Sequence, residues 1–390
     1  MNLNLLLDAV QDYISKNQSI APAAIALKKS PFPEVTALEL AQQIAGRQKT
    51  KQKLPTWQST PGILFPAALS LEQCSSELTA KYKANLTSGK NLIDITGGFG
   101  IDSYFFSLRI DSITYCEIQS ELAALVGHNF EVLGRNNIRL HIISGLDYLQ
   151  ILATNKVRVD WIYADPSRRN AEGGRVVNLE NYLPNIPLNL ESIFEVTHNL
   201  LVKTSPMLDL ELGLRSLPGT REIHIVGVNN EVRELLWWVQ PGYAGPVNRI
   251  AIDLGAFPAF QFTASEEKNA IRDLDVPLNY LYEPHAALMK AAPYNLICGR
   301  YGVSKLHEHT HLYTSENLVD FPGRRFKVLE ILPYKVKNIS FKKANITTRN
   351  FPESVAEIRK RTGIKPGGDS YLFFAKLLDE SLKVIVTEVV

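Results

Sequence analysis

Cysteine is scarce in this sequence. Cys74, Cys116 and Cys298 are its three, widely spaced and with no CxxC pair among them. An odd, scattered set excludes a disulfide framework and a cysteine zinc site, and no metal is expected. Long apolar runs are also missing. A membrane-spanning helix needs about 18 consecutive apolar residues, and no such run occurs. The amino terminus, Met1-Asn2-Leu3-Asn4-Leu5-Leu6-Leu7-Asp8, has no basic stretch before its leucines and meets a charge at Asp8. That is not a signal-peptide pattern, so a reduced cytoplasm is the expected location. Neither a solenoid-period repeat, a GxxxxGK[ST] phosphate loop nor a GxSxG elbow is present. What is present is ordinary for a globular protein: 390 residues, 45% hydrophobic and 21% charged. That length suffices for two or three domains of ~150 residues each.

Neither sign of charge dominates, with 42 Lys and Arg against 40 Asp and Glu. The distribution is uneven, however. Phe321 to Val390 hold 14 basic against 7 acidic residues, a net of +7, and the first 320 residues hold 28 against 33, a net of −5. A basic module on a slightly acidic body suits contact with an anionic polymer; a solvated lysine-rich surface is the alternative.

The texture of the chain changes twice. Residues 1–90 read as mostly helical: Leu3, Leu6, Leu7, Val10 and Ile14 recur at helical spacing, and Thr36 to Gln43 forms a second helix. Leu54 to Pro66 reads as an ordered loop. Ser70 opens another helix with Leu71, Cys74, Leu78 and Tyr82 inward. From Asn91 short apolar runs alternate with helix-length segments: 91–95, 112–116, 139–143, 160–164, 200–203 and 222–228. Such alternation indicates βαβ units and a parallel sheet, running to about Ala264. Beyond it come a helix at 284–292, β-prone pieces at 327–331 and 340–344, a helix at 354–361 stopped by Gly363, and strand-like runs at 371–374 and 383–389.

The strongest local signal is Leu92-Ile93-Asp94-Ile95-Thr96-Gly97-Gly98-Phe99-Gly100-Ile101-Asp102. An apolar strand ends in a glycine turn that opens a helix, whose first N–H groups have no partner within it. After the next strand stands Glu117, 20 residues beyond Gly97, a spacing at which a carboxylate reaches a ribose diol. The loop is not GxGxxG, and Asp94 would repel a pyrophosphate but suit a cation. S-adenosylmethionine (SAM), with a sulfonium, an amine and a ribose, fits these residues better than a dinucleotide; a purely structural glycine turn stays open.

Asp94-Ile95-Thr96-Gly97-Gly98-Phe99-Gly100 with Glu117 resembles the cofactor motifs of class I SAM-dependent methyltransferases. With Asp165-Pro166-Ser167-Arg168-Arg169, Lys203-Thr204-Ser205-Pro206 and the basic tail, the chain resembles the bacterial group carrying a carboxyl-terminal THUMP-like domain. The resemblance implies an α/β fold with a Rossmann-like, seven-stranded core, a helical region at residues 1–90 and a small α+β module at the carboxyl end. It divides the chain into a SAM-binding domain at 91–270, a small ferredoxin-like connecting domain at 271–320 and a basic THUMP-like domain at 321–390. SAM is the implied cofactor and RNA the implied partner. Asp94 and Gly97 would meet the methionine end, with Thr96, Gly98, Gly100 and Asp102 lining the cofactor. Glu117 would meet the ribose. Asp147 would accept from the adenine amine, unless it only caps a helix.

Asp165 and Pro166 end the fourth strand, at the sheet edge where ligands sit in open α/β folds. They resemble the (Asp/Asn)-Pro-Pro-aromatic motif of nucleic-acid methyltransferases, with a serine and an arginine in place of the second proline and the aromatic. Asp165 would orient the acceptor or take its proton, and Arg168 and Arg169 would hold a phosphate, or else form local ion pairs. The polar stretch 170–175 reads as a lid or a plain loop. Lys203 reads as a second group near this edge, or as a surface lysine.

In the tail, Lys342, Lys343, Arg349, Arg359, Lys360, Arg361 and Lys365 stand among Phe341, Phe351 and Tyr371, a mixture suited to phosphate contact and base stacking. His307-Glu308-His309-Thr310-His311 matches HExxH, but its flanks favour strand, which would put the three histidines on one surface face. Three functions remain open on these grounds: an RNA methyltransferase, a methyltransferase of a small molecule or protein, and a non-catalytic SAM- or RNA-binding factor.

Overall fold

In the computed structural model, which describes residues 1–168, 179–335 and 339–390, the chain divides into two units. One comprises Met1–Thr220 with Leu236–Ala244, the other Arg221–Leu235 with Gly245–Val390.

The first unit begins with six short α-helices, Asp8–Lys16, Pro22–Ala26, Ala37–Thr50, Pro55–Ser59, Ala68–Gln73 and Glu77–Leu86. Thr36 starts the third with a reciprocal cap: its hydroxyl accepts from the Glu39 N–H, and the Glu39 carboxylate accepts from the Thr36 N–H. Val10, Ile14, Ile25, Leu40, Ile44 and Leu64 pack into one apolar cluster. Two local expectations fail here. The segment expected to be a loop holds Pro55–Ser59, started by a proline whose missing N–H costs nothing in a first turn. The helix expected from Ser70 is two, because the chain turns extended at Cys74 and restarts at Ser76, whose hydroxyl caps the next helix. Leu78 is exposed rather than inward.

The sheet of this unit contains β1 (Asn91–Asp94), β2 (Ser112–Cys116), β3 (Ile138–His141), β4 (Trp161–Ala164) and, beyond the two-residue strands β5 (Ser167–Arg168) and β6 (Tyr182–Leu183), β7 (Leu200–Thr204). The order β7-β4-β1-β2-β3 is parallel throughout. Strands covered on both faces must be apolar along their whole length, and every residue of β4 is buried. After β7 come β8 (Thr220–Val228) and β9 (Glu231–Val239), and β9 neighbours both β7 and β8.

In the second unit, β10 (Asn248–Asp253) runs parallel to β8 and antiparallel to β11 (Phe257–Thr263). Among the described residues the main sheet therefore counts nine strands where seven were expected, because β10 and β11 follow β8. A separate seven-stranded sheet is built from β12 (Tyr280–Pro284), β13 (Ser304–His307), β14 (Thr310–Ser315), β15 (Gly323–Pro333), β16 (Asn345–Arg349), β17 (Tyr371–Lys376) and β18 (Leu382–Val389). Its order is β13-β14-β12-β15-β18-β17-β16. Side chains alternate between its faces: Phe373 joins one apolar cluster, and Leu372 and Phe374 join the other. The parallel pair β16 and β17 needs a crossover, supplied by the helix Val355–Thr362, capped by Ser354 and ended by Gly363 at φ 74°. The expected strand at 340–344 lies five residues early, since pairing starts at Asn345.

The HExxH segment is the turn of the β13–β14 hairpin, not one strand face. His307 is buried with its ring on Glu380, His309 is exposed in the turn, and His311 stacks on Tyr294 at 3.5 Å between ring centroids. The expected surface cluster of three histidines therefore does not form. Among the described residues no group of His, Cys, Asp and Glu is arranged to hold a metal ion. No helix among them is long and apolar enough to cross a membrane.

Candidate active site at the carboxyl ends of the parallel strands

The glycine turn leaves β1 and doubles back against the end of β2. A Cβ on Gly97 would lie 2.6 Å from the Cys116 carbonyl oxygen and the Tyr115 ring, so no larger residue lets the turn approach this closely. Gly100, at φ 75°, makes the left-handed step into the helix Ile101–Phe106. The Tyr115 hydroxyl donates to the Gly98 carbonyl at 2.6 Å. Glu117 is buried beside the turn and accepts from the N–H groups of Gly98 at 2.9 Å and Gln119 at 2.8 Å, one on each carboxylate oxygen. Each oxygen keeps a lone pair for a further donor.

Asp94 is buried and more fully engaged. Its carboxylate accepts from the Ser103 hydroxyl at 2.6 Å, the Thr96 N–H at 3.0 Å and the Thr96 hydroxyl at 3.2 Å. Burial raises its pKa to about 7; the Asp102 charge adds to that rise, and the three hydrogen bonds oppose it. Asp147 lies in the first turn of the helix Gly145–Thr154 and is exposed. It is not the N-cap, a position held by Ser144.

Asp102 is in a different place from the other cofactor candidates. It forms a buried ion pair with Lys83 at 3.1 Å and accepts from the hydroxyls of Ser75 and Tyr163, both at 2.8 Å. Lys83, fully buried, also donates to the Ser75 hydroxyl at 2.9 Å. Burial works to raise the Asp102 pKa, but the ammonium groups of Lys83 and Lys203 with the two hydroxyls outweigh it and hold the acid below its ordinary value. The amino-terminal helices are thus tied by charge to the helix behind the glycine turn. Trp57 adds an edge-on contact with Tyr104, 4.7 Å between ring centroids.

Asp165 follows β4 at the same edge. Its N–H donates to the Thr96 hydroxyl at 2.8 Å, joining the ends of β1 and β4 through one side chain. Its carboxylate pairs with Lys203 of β7 through Oδ2. Pro166 is buried behind it. Arg168 lies in β5, paired with Tyr182 of β6. Arg169 and the 170–175 stretch lie outside the described residues.

The tail residues divide by what already holds them. Arg349 bonds to Glu283, which also pairs with Arg324; Arg359 donates to the carbonyls of Ile364 and Ala344; Arg361 pairs with Glu353. Lys342, Lys343, Lys360 and Lys365 are exposed. A backbone bridge pairs Lys343 with Lys365, and the Lys365 N–H donates to the Lys342 carbonyl, so three lysines share one edge.

Residues 280–322 match the family model of a ferredoxin-like domain and residues 323–388 that of a THUMP domain-like module. Over 99% of this chain and 98% of its own, a proposed methyltransferase from Porphyromonas gingivalis W83 aligns at 32% identity and a TM-score of 0.85. The chain belongs to the class I methyltransferases with a carboxyl-terminal THUMP-like domain. A SAM-dependent methyltransferase from Agrobacterium tumefaciens aligns over 42% of this chain and 60% of its own, at 16% identity and a TM-score of 0.31. An rRNA methylase from Streptococcus thermophilus covers 42% and 93%, at 10% identity and 0.31. Both are too distant to bear on function. No curated protein matches the chain.

One sheet runs through both matched segments, since β12 of the first pairs antiparallel with β15 of the second. Sequence reading left three polar residues near the site unassigned: Ser75, Lys83 and Ser103. Lys83 and Ser103 lie on helices and Ser75 in the break between two, and nothing nearby in the sequence marks a partner for any of them. Lys203 was the one with a usable signal, a charge at the end of an otherwise apolar strand.

Proposed function

We propose that this methyltransferase takes its methyl group from SAM and transfers it to RNA, with the exposed lysines of the THUMP-like domain as the docking edge. The observation that carries the reading is a glycine turn with no room for a Cβ at Gly97 or Gly100, flanked by the carboxylates of Glu117 and Asp165. The donor set fits SAM: carboxylates suit a sulfonium and an amine and would repel a pyrophosphate. Bound there, SAM supplies a methyl carbon activated by a positive sulfonium and leaves as the neutral thioether.

The chain's own residues have separate tasks in this reading. Glu117 holds the ribose hydroxyls with the lone pairs its two backbone donors leave open. Ile118, 69% exposed next to it, offers an apolar face to a purine. Asp94 fixes the turn through Thr96 and Ser103 and presents negative charge to the methionine end, while Asp147 is exposed and able to accept from the adenine amine. Asp165 orients the acceptor, and Arg168 and Arg169 hold a neighbouring phosphate. Transfer of this kind gains most from holding donor and acceptor in line.

For RNA, the supporting observation is the edge formed by Lys342, Lys343 and Lys365, beside the glycine-rich turn at 367–368. Lys360 lies exposed near the end of the crossover helix, with Arg349, Arg359 and Arg361 holding the fold around it. The test is incubation of the full chain with methyl-labelled SAM and RNA from cells lacking the protein. Label that is lost to ribonuclease and kept through protease supports the reading. Label on protein or small molecules alone would remove the RNA assignment, and no SAM binding by calorimetry would remove the cofactor.

A further inference from the structure

We propose that Lys203 is a positioning residue for methyl transfer, holding the Asp165 carboxylate so that one of its oxygens faces the acceptor; this rests on the reading that Asp165 orients the acceptor.

The register of the sheet places the two groups together. Ala164 of β4 is level with Val202 of β7, so Asp165 and Lys203 are level one residue further on, where parallel neighbours project alike. Lys203 is an exception in its strand. Leu200, Leu201, Val202 and Thr204 are buried, and the lysine side chain is itself only 13% exposed. A lysine withdrawn this far from water needs a partner of opposite charge. That partner is Asp165 Oδ2, and the Lys203 charge also reaches Asp102.

Three contacts then define the Asp165 group. Thr96 receives its N–H, Pro166 restricts the backbone behind it, and Lys203 takes Oδ2. Among the described residues Oδ1 has no bonding partner, and the side chain is 33% exposed. An ionised carboxylate only accepts hydrogen bonds, so a nucleophile bearing an N–H meets this oxygen well. With SAM bound, the new N–CH3 bond would form as the S–CH3 bond breaks and its electron pair stays on sulfur, and the nitrogen's proton would pass to Oδ1. Lys203 touches none of the reacting atoms. It removes the freedom of the carboxylate to turn, which is where a positioning group contributes to rate.

A role in local charge balance alone predicts a different result. The full-length protein is compared with Lys203→Met, Lys203→Arg, Asp165→Asn and the double variant Lys203→Met/Asp165→Asn. The acceptors are RNA, protein and small-molecule fractions from cells lacking the protein, with methyl-labelled SAM. We expect Lys203→Met to lower kcat by ~30-fold or more while the KM for the acceptor and the Kd for SAM change less than ~3-fold. Lys203→Arg, which keeps a cation on Oδ2, should recover most of the rate. The double variant should be no slower than Asp165→Asn, since Lys203 acts through that one side chain. A wild-type kcat in Lys203→Met overturns the proposal, and so does a double variant showing the product of the two single losses. If Lys203→Met does not fold, a rate for Lys203→Arg as low as that of Asp165→Asn overturns it as well. Transfer to protein or small molecules with the same variant pattern supports the role of Lys203 while removing RNA. No transfer by the wild type to any fraction overturns both.

Discussion

Glu117 and Asp94 are both buried carboxylates at the glycine turn, yet they differ in what they have left to offer. Glu117 takes one backbone donor on each oxygen, which leaves each with a lone pair to offer. Glu117→Ala leaves ligand hydroxyls unpaired at ~1–3 kcal/mol, so SAM binding should weaken roughly ten- to a hundredfold by calorimetry. Unchanged affinity would remove Glu117 from the site. Asp94 carries three internal hydrogen bonds and a pKa raised from 3.8 to about 7. Between those values the folded chain keeps a proton that the unfolded chain has lost. Its contribution to stability is therefore full below the lower value and is lost as pH rises through the upper one. A cationic ligand end beside Asp94 favours its charged form. SAM binding near pH 7 should then release protons, seen as a binding heat that depends on the buffer's ionisation enthalpy. Asp94→Asn should abolish that dependence, and a buffer-independent heat in the native protein would count against this placement.

Two elements hold the glycine turn from behind. The helix Gly145–Thr154 starts so close to the end of β1 that a Cβ on Gly145 would lie 2.3 Å from the Ile95 carbonyl oxygen. Backbone cannot give way as a flexible side chain does. Gly145→Ala should cost ~1–3 kcal/mol in chemical unfolding, whereas a site open to adjustment would show no loss. The helix Glu77–Leu86 contributes Lys83, whose ammonium meets Asp102 in a dry environment. Removing one partner of a buried pair leaves the other charge uncompensated, typically ~3–5 kcal/mol. Lys83→Met should be destabilised by that order in urea, and adding Asp102→Asn should restore part of the loss. A double variant less stable than Lys83→Met would show that the pair is not what joins these helices.

At the scale of the whole molecule, charge is the property that separates the segments, with +7 on the last 70 residues against −5 on the rest. Part of the basic charge is met by carboxylates of the same fold: Arg324 and Arg349 pair with Glu283, and Arg361 pairs with Glu353. The lysines at 342, 343 and 365 lie exposed together on one edge. Each phosphate contact releases counterions and adds ~0.7–0.9 to the slope of log affinity against log salt. Replacing all three lysines by alanine in the full chain should lower that slope by about 2 for RNA measured by filter binding, with SAM affinity unchanged. An unaltered slope would place RNA elsewhere.

Period and punctuation along the chain were enough to reveal the parallel strands, the glycine turn at their first crossing and the stop at Gly363, because these depend on neighbours within a few residues. The strand ends at Asp94, Glu117 and Asp165 were legible for the same reason: a short apolar run followed by a polar residue marks its own edge. Tertiary structure alone decided which charges meet. Lys83 and Asp102 are 19 positions apart and Asp165 and Lys203 are 38 apart, and nothing local ties them. Pairing between strands brings Lys203 to Asp165, while the packing of the helix Glu77–Leu86 brings Lys83 to Asp102. It likewise decided that Arg324, Arg349 and Arg361 meet carboxylates while the lysines at 342, 343 and 365 stand exposed together. Composition is blind to that division, because it records how many charges a segment has and not which of them folding brings to a partner.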